Sequence, residues 1–173
     1  VAQERGRLDD AEDWYRQSLT IEEELNNRPG MAGTYHQLGR VAQKRGRLDD
    51  AEDWYRQSLT IKEELNNRPD MASTYHQLGM VAQKRGRLDD AEDWYRQSLT
   101  INEELNNRPS MASTYHQLGS VAQERGRLDD AEDWYRQSLT INEELNNRPD
   151  MASTYHQLGS VAQKRGRLDD AED

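Results

Sequence analysis

One histidine recurs every 40 residues, at His36, His76, His116 and His156. Imidazole is a common metal ligand and carries protons near neutral pH, so a shared metal site is the first chemistry to test. Packed helices lie about 8–10 Å apart, whereas zinc ligands lie about 2 Å from their ion. If each histidine belongs to a different stacked helical hairpin, one ion cannot join them. We therefore expect no metal and no other cofactor, and the histidines are either hydrogen-bond donors in a groove or ordinary surface residues.

A basic segment directly precedes an acidic one in every copy, as in "QKRGR" before Asp89, Asp90, Glu92 and Asp93. The acidic spacing does not match a calcium-binding loop, and capping of a helix explains it without catalysis. The basic run alone would suggest a nucleic-acid patch, but the acidic cluster cancels it and the net charge is −10. We expect pairing between neighbouring copies, no nucleic-acid partner and no enzyme activity.

The composition excludes several other classes of site. The 173 residues include no Cys, so a disulfide framework, a thiolate metal site and a cysteine nucleophile are absent. No apolar run approaches the roughly 18 residues that would span a bilayer, which predicts no membrane partner and a cytoplasmic location. Charged residues make up 32% of the chain, a content that favours disorder unless the sequence is periodic.

The sequence is strictly periodic. Copies at 1–40, 41–80, 81–120 and 121–160 align without a gap, and 161–173 begins a fifth. A fixed period of 20 to 50 residues is typical of solenoids, in which each unit packs on its neighbours. We predict one continuous array over 1–173. Its ends fall inside a copy, with the last turns of a first helix before Gly6 and the first turn of a second helix after Gly166.

Each copy contains the signals of two helices. The first helix, about 15 residues long, is predicted to start at Met71 with Asp70 as N-cap and to end at Gly86, which fits the left-handed C′ position. Its apolar face is Met71, Tyr75, Leu78 and Ala82. A short connection then makes the two helices an antiparallel hairpin.

The second helix is predicted to start with a capping box of Asp89 and Glu92. It extends for about 17 residues, and Pro109 lies past its end. Its apolar stripe is Ala91, Trp94, Tyr95, Leu99, Ile101 and Leu105. The tryptophans at 14, 54, 94 and 134 are interpreted as core or inter-repeat packing. Gly79, in the middle of the first helix, costs about 1 kcal/mol relative to alanine, and we predict that it lets the second helix approach closely near Ala91.

These residues resemble the tetratricopeptide repeat (TPR) family over the entire chain. Tyr75, Leu78-Gly79, Gly86, Leu88, Ala91, Tyr95 and Leu99 fall at the family's spacings. Ala82 and Ser98 depart from the usual residues, and the period is 40 rather than 34, as in kinesin-light-chain repeats and repeat regions attached to bacterial signalling NTPases. The resemblance implies an all-α, right-handed α-solenoid, or superhelix, of antiparallel helix-turn-helix repeats. It also implies that first helices line a concave groove that binds peptides.

Five of the forty positions vary between copies. Three of them, represented by Ser73, Met80 and Lys84, share one stripe of the first helix, opposite its apolar face. Either exposed positions drift because substitutions there cost little, or the stripe contacts a ligand. The candidate groove residues are His36, Arg40, Lys44, Ser73, His76, Met80, Lys84, Ser113, His116, Ser120, Glu124, Ser153, His156 and Ser160.

Two functions follow from this pattern. The first is a protein-interaction scaffold that binds a peptide or partner helix in the groove. The second is a structural array that stacks head to tail on itself, because the end units would expose apolar edges that suit each other. The sequence does not identify the partner.

Overall fold

The computed structural model describes the backbone of residues 2–172 and the side chains of residues 6–166. This part of the chain is all α-helix, as predicted. The eight helices are α1 (Ala2–Glu24), α2 (Arg28–Lys44), α3 (Leu48–Glu64), α4 (Arg68–Lys84), α5 (Leu88–Glu104), α6 (Arg108–Glu124), α7 (Leu128–Glu144) and α8 (Arg148–Glu172). The even-numbered helices are the predicted first helices, and the odd-numbered ones are the second helices.

The chain divides into two compact units, Val1–Trp94 and Tyr95–Asp173, which are described separately. In unit 1, α2 packs against α1 and α3, and α3 packs against α4. In unit 2, α7 packs against α6 and α8. That the whole array is one continuous domain stays a prediction.

The turn inside each hairpin is built on the predicted glycine. Gly46 and Gly86 adopt φ of +76° and +73°, a left-handed conformation that is cheap only without a side chain. The Gly46 N–H donates to the Gln43 carbonyl at 3.1 Å and the Arg47 N–H to the Ala42 carbonyl at 2.9 Å. This Schellman pattern pairs the last carbonyls of α2 and ends the helix.

The connection between hairpins differs from the prediction. Asn66 takes the left-handed position with φ of +50°, and Asn67, not Asp70, is the N-cap of α4. Its Oδ1 accepts from the Asp70 N–H at 3.4 Å. Pro69 lies in the first turn of α4, where a missing N–H costs nothing, so the helix begins three residues earlier than predicted. Pro109 occupies the same position in α6.

The predicted capping box at the second helix is also wrong. α5 begins at Leu88, which places Asp89 inside its first turn. In the equivalent α3, the N-cap is Arg47 and its side chain makes no capping hydrogen bond. The Schellman turn fixes the backbone up to Arg47, so the acidic residues can stabilise only the positive helix end. Leu105 is also not part of the buried stripe, since 44% of its surface is exposed.

The mid-helix glycine does admit a close neighbour, as predicted, but the neighbour is a tyrosine. A Cβ on Gly39 would lie 2.7 Å from Cδ1 and Cε1 of Tyr55. Tyr55 is fully buried, so its ring cannot move aside. Gly119 meets Tyr135 at the same distances. The predicted neighbour, the alanine of the second helix, lies one turn earlier than this tyrosine.

The first and last helices do not turn where the sequence predicts. α1 continues through Gly6 and α8 continues through Gly166, whereas Gly46 and Gly126 break their helices. At Gly46, two 17-residue helices pack on each other and stabilise the turn. Too few residues lie beyond Gly6 and Gly166 to supply such packing, so the backbone keeps its helical hydrogen bonds.

Candidate functional site

The basic and acidic segments of neighbouring copies pair, as predicted. Glu52 on α3 accepts from Arg56 at 2.9 Å and from Arg85 at 2.6 Å, and it also pairs with Arg87. Only 9% of its side chain is exposed. Burial alone would raise the pKa of Glu52, but hydrogen bonds from Arg56 and Arg87 outweigh burial and lower it. These ion pairs therefore join α3 to the turn that follows α4.

The same clamp recurs in unit 2, with two arginine partners among the described side chains. Glu132 accepts from Arg165 at 2.8 Å and pairs with Arg136, and 24% of its side chain is exposed. A second contact, between Arg165 and Asp129, joins α8 to the start of α7. The clamp at Glu132 is thus more open to water than the clamp at Glu52.

The tryptophans pack between copies, as predicted, except for the first. Trp54 stacks on Tyr35 with ring centroids 5.6 Å apart, and the Arg16 guanidinium lies 5.4 Å from its ring centre. Trp134 repeats the arrangement with Tyr115 and Arg96. Trp14 is 67% exposed. These stacks use the ring faces that a nucleic-acid base would need.

The predicted groove residues lie on the face of the first helices, at two levels of burial. The exposed members are Arg40, Lys44, Ser73, Lys84, Ser113, Glu124, Ser153 and His156, and the half-buried members are His36, His76, Met80, His116, Ser120 and Ser160. In unit 2, Gln123 Nε2 on α6 donates to Ser160 Oγ on α8 at 3.0 Å. The face is therefore continuous from one first helix to the next within that unit.

Three of the histidines pack between helices. His36 meets the ring of Tyr55 edge-on at 5.2 Å, and His116 meets Tyr135 in the same way. His36 Nδ1 lies 3.3 Å from Thr74 Oγ1 on the next first helix. Burial, together with the smaller effects of the Lys62 and Arg40 charges, lowers the pKa of His36 to about 4. Burial also lowers the pKa of His76 to about 4. Of the four, only His156 is exposed in the manner of an ordinary surface residue.

The sequence analysis missed one variable position that belongs to this site. Lys62, Asn102 and Asn142 lie on the second helices and are at most 5% exposed. A signal for this burial was present, because Lys62 follows Ala51, Tyr55 and Ser58 at i+11, i+7 and i+4, and all of these residues are buried.

In unit 1, Lys62 extends to the neighbouring first helix. Its Nζ donates to Thr74 Oγ1 at 2.9 Å and lies 3.4 Å from His36 Nδ1. Thr74 Oγ1 donates in turn to the Asp70 carbonyl at 2.8 Å. Burial lowers the pKa of Lys62, and the Asp70 carboxylate opposes that shift. A buried ammonium is thus held by two neutral acceptors beside one carboxylate.

In unit 2, the equivalent residue is too short to reach. Asn142 Nδ2 stays on its own helix and approaches Ser138 Oγ at 3.4 Å. A pocket of about 260 Å³ lies beside it, between α6, α7 and α8. The pocket is lined by Ala112, Ser113, His116, Gln117, Ser138, Asn142, Asp150 and Ser153. Three of these, Ser113, His116 and Ser153, are predicted groove residues.

In α1 the same position carries the opposite charge. Glu22 Oε1 accepts from Ser18 Oγ at 3.2 Å and from Thr34 Oγ1 at 3.1 Å. Its Oε2 is buried and has no hydrogen-bond partner among the described residues. The position therefore holds an anion, a cation or an amide, depending on the copy.

Metal binding and membrane insertion are two further possibilities for these helices. Among residues with described side chains, no group of three or more His, Asp or Glu is placed to hold a metal ion. None of the helices described above is both long enough and apolar enough to cross a bilayer.

The sequence matches the family model described as "Tetratricopeptide repeat" over residues 1–64, 70–144 and 110–173. No curated protein matches it. Among solved structures, the fold is similar to BtubC (BKLC) from P. vanneervenii, with a TM-score of 0.88 and 26% identity, over 98% of this chain and 71% of that one.

Two further structures show the same fold at lower identity. The nearly identical TPR-like repeats of a candidate kinesin light chain from Podosopora anserina give a TM-score of 0.79 at 20% identity, over 98% of this chain and 84% of that one. Aspartyl phosphate phosphatase F from Bacillus subtilis gives 0.83 at 16%, over 97% of this chain and 45% of that one. Both agree with the repeat fold predicted from the sequence.

Proposed function

Because the chain belongs to the tetratricopeptide repeat family, we propose that it is a non-enzymatic scaffold that binds a protein or peptide partner along its first helices. The observation that carries the proposal is the polar pocket between α6, α7 and α8, which lies beside residues that vary between copies. The helices around it are held by buried tyrosines and ion clamps, so the face is preorganised for binding. An extended segment or a partner helix would lie across this face.

Selection from a random displayed-peptide library tests this proposal without knowledge of the source cell. Peptides that bind the wild-type chain should bind the double variant Ser113→Lys, Ser153→Lys about tenfold more weakly, because two long cationic side chains would obstruct the pocket that these serines line. Both serines are exposed, so the fold should tolerate the change.

The matched control adds charge to a second helix instead. Gln137→Lys with Thr140→Lys changes two exposed positions of α7 and should leave peptide binding unchanged. Equal losses in the two double variants, or no selected peptide at all, would argue against a first-helix binding face.

A second candidate function, self-association, is favoured by the outer face of α8. A Cβ on Gly159 would meet nothing within 4 Å, whereas one on Gly119 would meet the ring of Tyr135. A cavity of about 630 Å³ lies there, lined by Glu132, Arg136, Tyr155, Leu158, Gly159, Ala162, Arg165 and Gly166. α1 of a second copy carries Tyr15 in the register of Tyr135, so the two surfaces are complementary and the contact is heterologous.

Sedimentation as a function of concentration tests the second candidate. The wild-type chain should form larger species as concentration rises, and Gly159→Leu should reduce them because its side chain occupies the place of a tyrosine ring. Gly33→Ser, which installs the residue found in the other copies, is the matched control. A monomer at every concentration would rule out this second function.

A further inference from the structure

The polar site at Lys62 and the pocket at Asn142 are equivalent sites in two copies of the repeat. They differ in the chemical group that occupies them. The two positions are 80 residues apart, two full periods of the repeat. In unit 1, the lysine of the chain itself places an ammonium beside His36 and Thr74. In unit 2, the equivalents His116 and Thr154 remain, but the residue at their side is Asn142. Unit 1 therefore shows which chemical group this geometry accepts.

We propose that the pocket at Asn142 is a binding subsite for a primary ammonium group, such as the side chain of a lysine in a bound segment. The identity of the natural occupant rests on the proposed scaffold function. The chemistry of the subsite does not, because it follows from the comparison with Lys62.

The lining of the pocket suits a cation. Asp150 contributes a carboxylate, and its Oδ2 accepts from Asn147 Nδ2 at 2.7 Å, which fixes the side chain at the pocket. The amide of Asn142, the amide of Gln117 and the hydroxyls of Ser113 and Ser153 offer neutral acceptors. No lysine or arginine is among the lining residues, so an anion would meet Asp150 without a compensating charge.

The Asp150 carboxylate has an equivalent in unit 1, the carboxylate of Asp70. Asp70 raises the pKa of Lys62 and so favours its charged form, against the effect of burial. Asp150 is the same residue two periods later, and it raises the pKa of His116 in the same way. Each of the two sites therefore has a carboxylate that favours a neighbouring cation.

The size of the pocket also fits the end of a lysine side chain. One water occupies about 30 Å³ of liquid, so about 260 Å³ accommodates several heavy atoms. A butyl chain with a terminal ammonium has the length of the lysine side chain itself. The pocket is open to the face of α6 and α8, so a ligand can enter without displacing a helix.

The ring of His116 supplies a specific signature of occupancy. Thr154 Oγ1 donates to the Asp150 carbonyl at 2.8 Å and lies 3.2 Å from His116 Nδ1. In unit 1, Thr74 Oγ1 makes the equivalent contacts, and the Lys62 ammonium lies 2.9 Å from it and 3.4 Å from His36 Nδ1. Binding of an ammonium next to His116 should therefore add a hydrogen-bond donor at this position and change the ring signals of His116.

Titration of the full chain with n-butylammonium chloride at constant ionic strength tests the subsite. Histidine-selective ¹⁵N labelling gives the ring signals of four imidazoles, which single His→Gln variants assign. We expect a saturable change in the ring signals of His116 and no change at His36. n-Butanol, which has the same chain without charge, should leave the His116 signals unchanged.

Two variants exchange the natural residues of the two sites. Asn142→Lys fills the pocket from within and should weaken the His116 response at least tenfold. Lys62→Asn should create a new saturable response at His36 that the wild type lacks, so the inference is testable even if the first variant folds poorly. Asp150→Asn should weaken binding several-fold.

Three results would overturn the subsite. They are a linear, non-saturating shift at His116, an equal response in Asn142→Lys, and an equal response to n-butanol. Peptides that bind the first-helix face while n-butylammonium does not bind would remove the ammonium subsite and leave the scaffold function intact. Binding of n-butylammonium without any peptide would support the subsite alone.

Discussion

The same helical frame surrounds Lys62 in unit 1 and Asn142 in unit 2, yet the two sites differ in occupancy. Both residues are almost fully buried, at 5% and 2% exposure. The histidine, the threonine and the aspartate around them are identical. The lysine crosses to the next first helix and occupies the site with its ammonium, whereas the asparagine stays on its own helix and leaves a pocket.

This contrast shows that the helical packing around the site and the group that occupies the site are determined by different residues. Buried tyrosines, glycine contacts and ion clamps repeat in both units. A single side chain then decides whether the chain satisfies the polar groups itself or leaves them for a ligand. Substitution at such a position changes binding without rebuilding the core, which is how a repeat array can diversify.

The clamps separate the two units most strongly. Glu52→Gln removes the charge that three arginines share and should lower the free energy of unfolding by about 3 kcal/mol, as for other broken buried pairs. Glu132→Gln, at the more exposed clamp where Arg136 and Arg165 are the described partners, should cost about 1 kcal/mol. Urea unfolding of the two variants measures both values. Equal losses would mean that the two clamps contribute equally to stability, against this prediction.

The threonines sharpen the contrast at the site itself. Thr74→Val leaves the Lys62 ammonium without its closest acceptor and should cost about 2 kcal/mol, because an unpaired buried charge is expensive. Thr154→Val removes neutral contacts with His116 and with the Asp150 carbonyl but leaves no buried charge unpaired, and it should cost about 1 kcal/mol. Hydrogen exchange of α4 and α8 localises each loss. A larger loss for Thr154→Val would mean that the lysine does not depend on Thr74.

The glycines distinguish a covered first helix from an uncovered one. Gly119→Ala forces a methyl group against the Tyr135 ring, and overpacking should exceed the gain in helix propensity by about 1 kcal/mol. Gly159→Ala meets no neighbour and should stabilise α8 by about 0.5 kcal/mol. Thermal unfolding should therefore shift in opposite directions. A destabilising Gly159→Ala in dilute solution would show that another surface covers this face.

The smallest expected effect is a change in the pKa of one histidine. Lys62→Asn removes the positive charge beside His36, so the pKa of His36 should rise from about 4 but remain below 6.5, because burial is the larger cause. The folded state disfavours the protonated ring, so stability is full above pH 6.5 and falls as pH drops from 6.5 toward 4. In the Lys62→Asn variant, the pH range over which stability falls should be smaller, because its lower limit, the pKa of His36 in the folded state, rises.

Titration of the imidazole signals by NMR measures the change at His36. His116 in the same variant is the internal control, since no lysine affects its pKa. An unchanged His36 would mean that the Lys62 ammonium does not influence the ring.

Much of the fold could be predicted from local patterns. The left-handed glycine of the hairpin turn, the apolar face of the first helix and the close approach at the mid-helix glycine are each dictated by short-range chemistry. The caps were predicted less well because several residues in "LNNRPDM" can serve as an N-cap, and the choice depends on which backbone amide each side chain reaches. Asn67 prevails over Asp70 because Pro69 can enter the helix.

The groove residues remain a prediction, and the most informative member of the site was missed. Met80 and Lys84 vary on an accessible face, which periodicity alone indicates. Lys62 varies on a buried face, and a charged residue is seldom expected there. Its register with Tyr55 and Ser58 indicated burial, but no pattern within one copy indicates that Thr74 of the next first helix supplies the acceptor.

The period, the helical hairpins and the two faces of each helix could be predicted from the sequence, because they depend on contacts within three or four residues and on glycine and proline geometry. The role of the buried variable position could be found only from the packing of the helices. That position lies where a second helix meets two first helices, so its effect depends on reach across a gap between helices. A lysine spans the gap and an asparagine does not, and this difference produces one occupied site and one open pocket.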